Sequence, residues 1–258
     1  MSNLTRRIEA VIFDLDDTLL DWSGREESWQ EVTRPLLENV YHYLVQSGHP
    51  LDDPEHFFEL VHRHIEGVWE EAKKDWSGAS FGDALLLACE DAGLNTARLD
   101  LDELMRVYNW QPMPGVELYE DAFCVLDTLR DRGYRIGLIT NSFYPMWMRD
   151  VELRHYNLLD YFDARITSGD SGYMKPHPAI YRRILDLLDV PAARAVFVGD
   201  RPENDIAGAN EAGLISVLID PPHLDRELHG VVPDFTITRL SELLPILEQL
   251  EKEGETHG

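Results

Sequence analysis

Residues 10–18 read Ala-Val-Ile-Phe-Asp-Leu-Asp-Asp-Thr. The first four side chains are all apolar, which favours a β-strand that is buried on both faces, as the strands of parallel sheets are. The apolar run ends in a group of carboxylates, Asp14, Asp16 and Asp17. Because open α/β sheets bind their ligands beyond the carboxyl ends of the strands, this stretch predicts a polar site at the end of a buried strand.

From about residue 114 onward, apolar runs alternate with helical patterns along the chain. Strands are predicted over 135–140, 164–168, 195–199 and 215–219, with an edge strand over 234–237. Helices are predicted near 117–132, 145–156, 178–188 and 203–212, and from 241 onward. This alternation predicts the α/β class, with a Rossmann-like parallel sheet core and helices on both faces.

The segment from about Trp22 to Pro112 has helical periodicity only. Apolar residues recur at helical spacing from Phe57, and Ser80 is placed to cap a helix that Gly93 ends. An all-helical block inside an alternating chain indicates an insertion. We therefore predict a helical subdomain over 22–112, inserted into an α/β core formed by 1–21 and 113–258.

Charge and composition narrow the classes of partner. The chain has 258 residues and a net charge of −25, which repels polyanions and disfavours nucleic acid as a partner. No apolar run reaches the length of a membrane span and the first residues are polar, so we expect a cytoplasmic protein with no membrane partner. Cys89 and Cys124 lie in apolar helical contexts, which predicts two buried free thiols.

Polar residues follow each predicted core strand, and parallel strands bring their carboxyl ends to one edge of the sheet. The residues are Asp14 and Asp16, then 140–142, then 168–170 with Lys175, then Asp200 with Asp205. Crowded carboxylates raise one another's pKa or require a counter-ion. Mg²⁺ prefers oxygen ligands of this kind, so the pattern predicts a Mg²⁺ site in which Lys175 supplies a further positive charge.

These stretches resemble, in order, four motifs of the haloacid dehalogenase-like hydrolases. Residues 14–18 are similar to the family's Asp-x-Asp-x-Thr motif, and 138–141 to its second motif, a strand that ends in Thr or Ser. Residues 175–176 are similar to the third motif and 199–205 to the fourth. The resemblance implies a Mg²⁺-dependent phosphatase that acts on a small phosphorylated metabolite, with a helical cap between the first and second motifs.

The resemblance also implies catalytic roles. Asp14 would be the nucleophile that forms an aspartyl-phosphate, and Asp16 would protonate the leaving oxygen and later deprotonate water. An acid at position 16 favours phosphorus chemistry over the carbon chemistry of the family's dehalogenases. A phosphomutase on the same scaffold and a non-catalytic binding protein remain as alternatives, and the oligomeric state and the particular metabolite stay open.

The same resemblance implies binding roles for the other motif residues. Phosphate would be bound by Thr140, by Lys175, and by backbone N–H groups near Leu15, Asp16 and Asn141. Mg²⁺ would be held by Asp14, Asp200 and the main-chain carbonyl of Asp16, with Asp205 orienting metal-bound water or Lys175.

Residues of the helical insertion would set specificity, and each of its aromatic residues has packing in a helix bundle as the alternative role. The candidates that could face the substrate are Trp22, Trp29, Arg63, Trp69, Lys73, Trp76 and Phe81, with Trp76 preferred because it lies in a predicted loop. Arg201 either contacts the substrate or pairs with Glu203 on the surface.

Overall fold

A six-stranded parallel sheet forms the centre of the computed structural model, which describes residues 8–224 and 226–255. The strands of the described chain are β1 (Ala10–Phe13), β2 (Leu20–Asp21), β3 (Glu117–Leu118), β4 (Arg135–Thr140), β5 (Ala164–Thr167), β6 (Ala195–Gly199), β7 (Ile215–Ile219) and β8 (Phe235–Ile237). The large sheet has the order β5-β4-β1-β6-β7-β8, and all its pairs are parallel. This arrangement confirms the predicted α/β sheet, including the edge strand β8.

Strand β1 lies between β4 and β6, and its position explains where the polar residues meet. All four of its residues are buried. Phe13 is in register with Leu138 of β4 on one side and with Val198 of β6 on the other. Asp14, Thr140 and Asp200, which end or follow these three strands, are therefore brought to the same edge of the sheet.

Helices cover both faces of this sheet. The described helices are α1 (Trp29–Gln46), α2 (Pro54–Ala72), α3 (Phe81–Asp91), α4 (Leu101–Tyr108), α5 (Ala122–Asp131), α6 (Met146–His155), α7 (Ser168–Ser171), α8 (Pro178–Leu188), α9 (Ala207–Ala212) and α10 (Leu243–Glu255). Val11 and Phe13 belong to one apolar core, and Ala10 and Ile12 to a second core that includes residues of α8. Alternate side chains of β1 thus point to opposite faces, and each face is buried.

Helices α1 to α4 form the helical segment, residues 29–108, which lies between β2 and β3 in the chain. Ser28 caps α1 in a reciprocal arrangement with Glu31, and Ser80 caps α3 as predicted. Strand β2 leads into this segment and β3 leads out of it, and the two strands pair with each other in antiparallel orientation. The assignment of 22–112 as a separate subdomain stays a prediction.

Two local predictions are wrong. The helix expected from Glu117 begins at Ala122, because Glu117 and Leu118 pair with β2 instead. Cys89 is buried as predicted, but Cys124 is exposed. Helix α5 buries the face that carries Ala122, Val125, Leu126 and Leu129, and Cys124 lies on the other face.

None of the described helices combines the length and the apolar character that a membrane span requires.

Candidate active site

Asp14 lies at the first position beyond β1, in the middle of the carboxyl edge of the sheet. Its backbone N–H donates to the carbonyl of Val198 at 2.9 Å, which continues the strand pairing by one residue and fixes the main chain at this position. One carboxylate oxygen, Oδ1, is 2.6 Å from Nζ of Lys175. The pKa of Asp14 is raised to about 7 by its surroundings as a whole. Burial is the largest cause; the Lys175 charge lowers the pKa, and the charges of Asp205 and Asp16 raise it.

Lys175 is the buried cation of this site. Its side chain is 2% exposed and lies between two carboxylates, 2.6 Å from Asp14 and 2.7 Å from Oδ1 of Asp205. Burial opposes its charge, but the two carboxylates outweigh burial and raise its pKa. Lysine therefore stays protonated here and offsets part of the negative charge.

The loop that carries Lys175 is fixed by two asparagines. The Asn141 side chain donates to the Lys175 carbonyl at 2.9 Å and accepts from the Lys175 N–H at 2.8 Å. Asn204 donates to the same carbonyl at 2.8 Å. Asn141, predicted to assist phosphate binding through its backbone, thus uses its side chain to position Lys175.

Three carboxylates converge next to this lysine. Asp14, Asp200 and Asp205 each offer an oxygen atom, and these oxygens lie within 4.8 Å of one another. Asp200 is fully buried, and its Oδ1 has no hydrogen-bond partner among the described residues. Burial, followed by the charges of Asp205 and Asp14, raises the pKa of Asp200 to about 8. A buried oxygen without a donor, in a group of hard ligands, fits a Mg²⁺ ion.

This cluster contains two of the predicted metal ligands, together with an acid that was expected to orient metal-bound water or Lys175. Asp14 and Asp200 belong to it, whereas the Asp16 side chain does not and Asp205 does. Asp205 can reach the site because residue 199 is glycine: a Cβ there would lie 2.5 Å from the Asp205 carboxyl carbon. The expected role of the Asp16 carbonyl stays a prediction.

Arg226 is a residue of this site that the sequence did not indicate. Its Nη2 is 2.5 Å from Oδ2 of Asp200 and 3.2 Å from Oδ2 of Asp17. It follows β7, at the same edge of the sheet as the acids. The rule for strand ends could have drawn attention to it, but its loop has no motif.

Asp16 is bound on its Oδ1 by two donors from other parts of the fold. Arg149 Nη2 lies at 2.7 Å and the indole Nε1 of Trp22 at 3.0 Å. Oδ2 has the hydroxyl of Thr140 at 3.4 Å. Arg149 is a second site residue that the sequence did not indicate. The predicted residues Asp14, Asp16, Thr140, Lys175, Asp200 and Asp205 are therefore brought together by the fold.

A cavity of about 470 Å³ opens at this edge of the sheet. The helical segment contributes three residues to its lining, Trp69 from α2 and Lys73 and Trp76 from the loop between α2 and α3. Trp76 is held over the Lys175 loop, because its carbonyl accepts from the Met174 N–H at 2.9 Å. The core contributes Asp14, Asp16, Thr140, Asn141, Met174, Lys175, Arg201, Glu203, Asn204 and Asp205.

The other specificity candidates lie outside the cavity lining. Trp29 and Phe81 pack in an aromatic cluster with Tyr144, which agrees with the alternative role of helix-bundle packing. Arg63 is exposed on α2. Arg201 lines the cavity, and the described chain contains no ion pair between it and Glu203.

The fold and the site together define an α/β protein with a cluster of buried carboxylates at the carboxyl edge of a parallel sheet. The family model of the haloacid dehalogenase-like hydrolases matches residues 8–213. The chain belongs to this family, as its four motifs indicated.

Individual relatives extend this assignment. The chain is 28% identical over 250 residues to a glyceraldehyde 3-phosphate phosphatase from Methanopyrus kandleri, a match that covers 95% of this chain and 100% of the relative. It is 30% identical over 260 residues to a protein of the same name from Pyrococcus furiosus, which covers 95% of each. A solved 2-haloacid dehalogenase from Pseudomonas syringae pv. Tomato DC3000 has a TM-score of 0.63 and 28% identity, and covers 94% of this chain and 99% of that one.

Proposed function

We propose that the protein is a Mg²⁺-dependent phosphomonoester hydrolase that acts on a small phosphorylated metabolite through an aspartyl-phosphate on Asp14. The observation that carries the proposal is the buried Asp14 carboxylate, fixed at the end of the central strand, 2.6 Å from Lys175 and open to a cavity. A nucleophile held in this way turns one difficult displacement into two easier ones.

The proposed reaction has two displacements at phosphorus. A carboxylate oxygen of Asp14 forms a bond to phosphorus while the bond to the leaving oxygen breaks, and Asp16 gives its proton to that oxygen. Water then loses a proton to Asp16 and attacks phosphorus, the bond to Asp14 breaks, and inorganic phosphate leaves. Thr140 and Lys175 line the cavity beside Asp14, where they can bind the phosphoryl oxygens.

Asp14, Asp200 and Asp205 supply the carboxylate oxygens for Mg²⁺. Bound there, the ion would neutralise charge on the phosphoryl oxygens. The acids would then be held in their ionised form, which Asp14 must have to act as a nucleophile.

The helical segment is proposed to act as a cap that gives the cavity its selectivity. Trp69 and Trp76 offer apolar faces, and Lys73 and Arg201 offer positive charge to the rest of the substrate. Both relatives described above carry the name glyceraldehyde 3-phosphate phosphatase, so a triose phosphate is the first metabolite to test.

The test uses 4-nitrophenyl phosphate and a panel of phosphorylated metabolites, with Mg²⁺ or with EDTA. We expect hydrolysis that requires Mg²⁺, and a loss of at least about a thousandfold in Asp14→Asn, which removes the nucleophile. Borohydride treatment during turnover should convert residue 14 to homoserine, which mass spectrometry of the peptide detects. Hydrolysis that survives Asp14→Asn unchanged would refute the proposal.

Dehalogenation is the second candidate, because a solved dehalogenase resembles this chain. In the proposal, Asp16 serves the protonation of an oxygen leaving group, a step that halide does not require. Halide release from 2-chloropropionate, measured beside phosphate release, separates the two activities.

A further inference from the structure

The Asp16 carboxylate is held from a side that does not face the cavity. Two donors, Arg149 Nη2 at 2.7 Å and Trp22 Nε1 at 3.0 Å, converge on the same oxygen, Oδ1. Neither donor residue lines the cavity, whereas Asp16 does. Arg149 and Trp22 are therefore placed to act on a substrate only through Asp16.

Arg149 is itself fixed inside the protein. Its side chain is 4% exposed, and its Nε lies 2.9 Å from Oε2 of Glu152, one turn further along α6. The contact between Nε and Oε2 is close enough for an ion pair, but its angle is not that of a hydrogen bond. A buried guanidinium with a carboxylate on each side has little freedom to leave Asp16, because it would lose a charge partner in a low-dielectric region.

The two donors come from separate elements of the chain. Trp22 follows β2, where the chain passes into the helical segment, and Arg149 belongs to α6, which follows β4. Asp16 lies beyond β1. A rotation of its carboxylate would break both contacts of Oδ1 at once, whereas Oδ2 has only the Thr140 hydroxyl at 3.4 Å. The two oxygens of Asp16 are thus made different by their surroundings.

We propose that Arg149 and Trp22 are positioning residues that fix Oδ1 of Asp16, so that Oδ2 is the oxygen that exchanges protons with the substrate. This inference rests on the proposed function, in which Asp16 protonates the leaving group. The bond from phosphorus to the leaving oxygen breaks as the Asp14 oxygen bonds to phosphorus, and the leaving oxygen takes the proton from Oδ2. The charge that returns to Asp16 then lies 2.7 Å from the Arg149 guanidinium.

The experiment compares two substrates of similar shape but different leaving groups. 4-Nitrophenolate leaves readily as an anion, whereas phenolate benefits more from protonation, so only phenyl phosphate depends strongly on the acid. The value of kcat/KM is measured for both, because it reports the step in which the leaving group departs. Trp22→Phe removes one donor and keeps an aromatic ring at this position. The charge-balanced double variant R149M/E152Q removes the other donor. Arg154→Met, at an exposed arginine of the same helix, is the matched control.

Both test variants should lose about 10- to 100-fold in kcat/KM with phenyl phosphate and less than about threefold with 4-nitrophenyl phosphate, since a misplaced acid costs only the reaction that needs it. The control should change neither value. An equal loss with both substrates would assign Arg149 and Trp22 a structural role only, and no loss would remove them from the mechanism; either result overturns the inference. The function itself is tested separately, because Asp14→Asn must abolish hydrolysis of both substrates whatever these variants do.

Discussion

Lys175→Met is the substitution that most directly tests how this site tolerates its buried charges. Lys175 lies 2.6 Å from Asp14 and 2.7 Å from Asp205, and its side chain is 2% exposed. Methionine matches the length of the lysine stem but has no charge, so two buried acids lose their partner. Breaking a buried ion pair from one side costs about 3–5 kcal/mol.

Protonation limits this cost. The pKa of Asp14 is already raised to about 7 with Lys175 present, and it would rise further without it. An acid that takes up a proton avoids most of the cost of a buried charge. We therefore expect a loss of about 3 kcal/mol near neutral pH, which for a chain of this size is a fall in melting temperature of about 6–12 °C.

A double variant separates stability from activity. K175M/D205N removes one of the two acids together with the lysine. In the wild type, Oδ2 of Asp205 accepts a hydrogen bond from the backbone N–H of Arg201 at 2.9 Å, and the amide oxygen of the new asparagine can accept the same bond. Most of the lost stability should return. Hydrolysis should not return, because Asp14 still lacks the lysine charge that favours its ionised form and that lies beside the phosphate position.

Thermal unfolding and 4-nitrophenyl phosphate hydrolysis measure the two effects on the same samples. Lys74→Met is the control, because Lys74 is exposed and pairs with Glu71 on the surface of the helical segment. Its stability should change by less than about 0.5 kcal/mol. A stable and active Lys175→Met protein would refute the assignment of Lys175 as the counter-charge of Asp14, and recovered activity in the double variant would refute its place in catalysis.

Two further predictions concern the acidic cluster. Asp200→Asn should weaken Mg²⁺ binding in titration calorimetry on the order of a hundredfold or more, since it removes a unit charge at contact distance, whereas exposed Glu211→Gln should leave the affinity unchanged. In EDTA, the stability of the wild type should fall relative to that of Asp200→Asn as pH rises from about 5 to 8. The reason is that the pKa of Asp200 is raised to about 8 in the folded chain. The folded state therefore binds more protons than the unfolded state, so a rising pH favours unfolding. Wild-type stability that stays level or rises relative to the stability of Asp200→Asn between about pH 5 and 8 would contradict this prediction. An Asp200→Asn protein with wild-type Mg²⁺ affinity would contradict the assignment of Asp200 as a metal ligand.

The sheet and its acids were predictable because two simple regularities apply to them. Buried parallel strands are continuous apolar runs, and the carboxyl ends of such strands meet at one edge. Asp14, Thr140 and Asp200 follow from these regularities together. The pairing of Glu117 with β2 was not predictable, because a strand of two residues has no measurable period.

The arginines of the site were not predictable for a different reason. Arg149 and Asp16 are 133 positions apart, and Arg226 and Asp17 are 209 apart. Their contacts depend on how a helix packs and how a loop returns over the sheet edge, and neither residue lies in a motif. Only a requirement for charge balance could have indicated that the acids need more cations than Lys175.

That requirement explains how a chain with a net charge of −25 can contain a site for a phosphate group. Five acids of the site are paired with three cations: Asp14 and Asp205 share Lys175, Asp16 has Arg149, and Asp17 and Asp200 share Arg226. These pairs leave an excess of two negative charges when all five acids are ionised. The distant surface charge is screened beyond about 8–10 Å at ordinary salt. One divalent cation would offset this excess, so that an anion is no longer repelled from the cavity, which is the electrostatic reason for coupling phosphate binding to Mg²⁺ here.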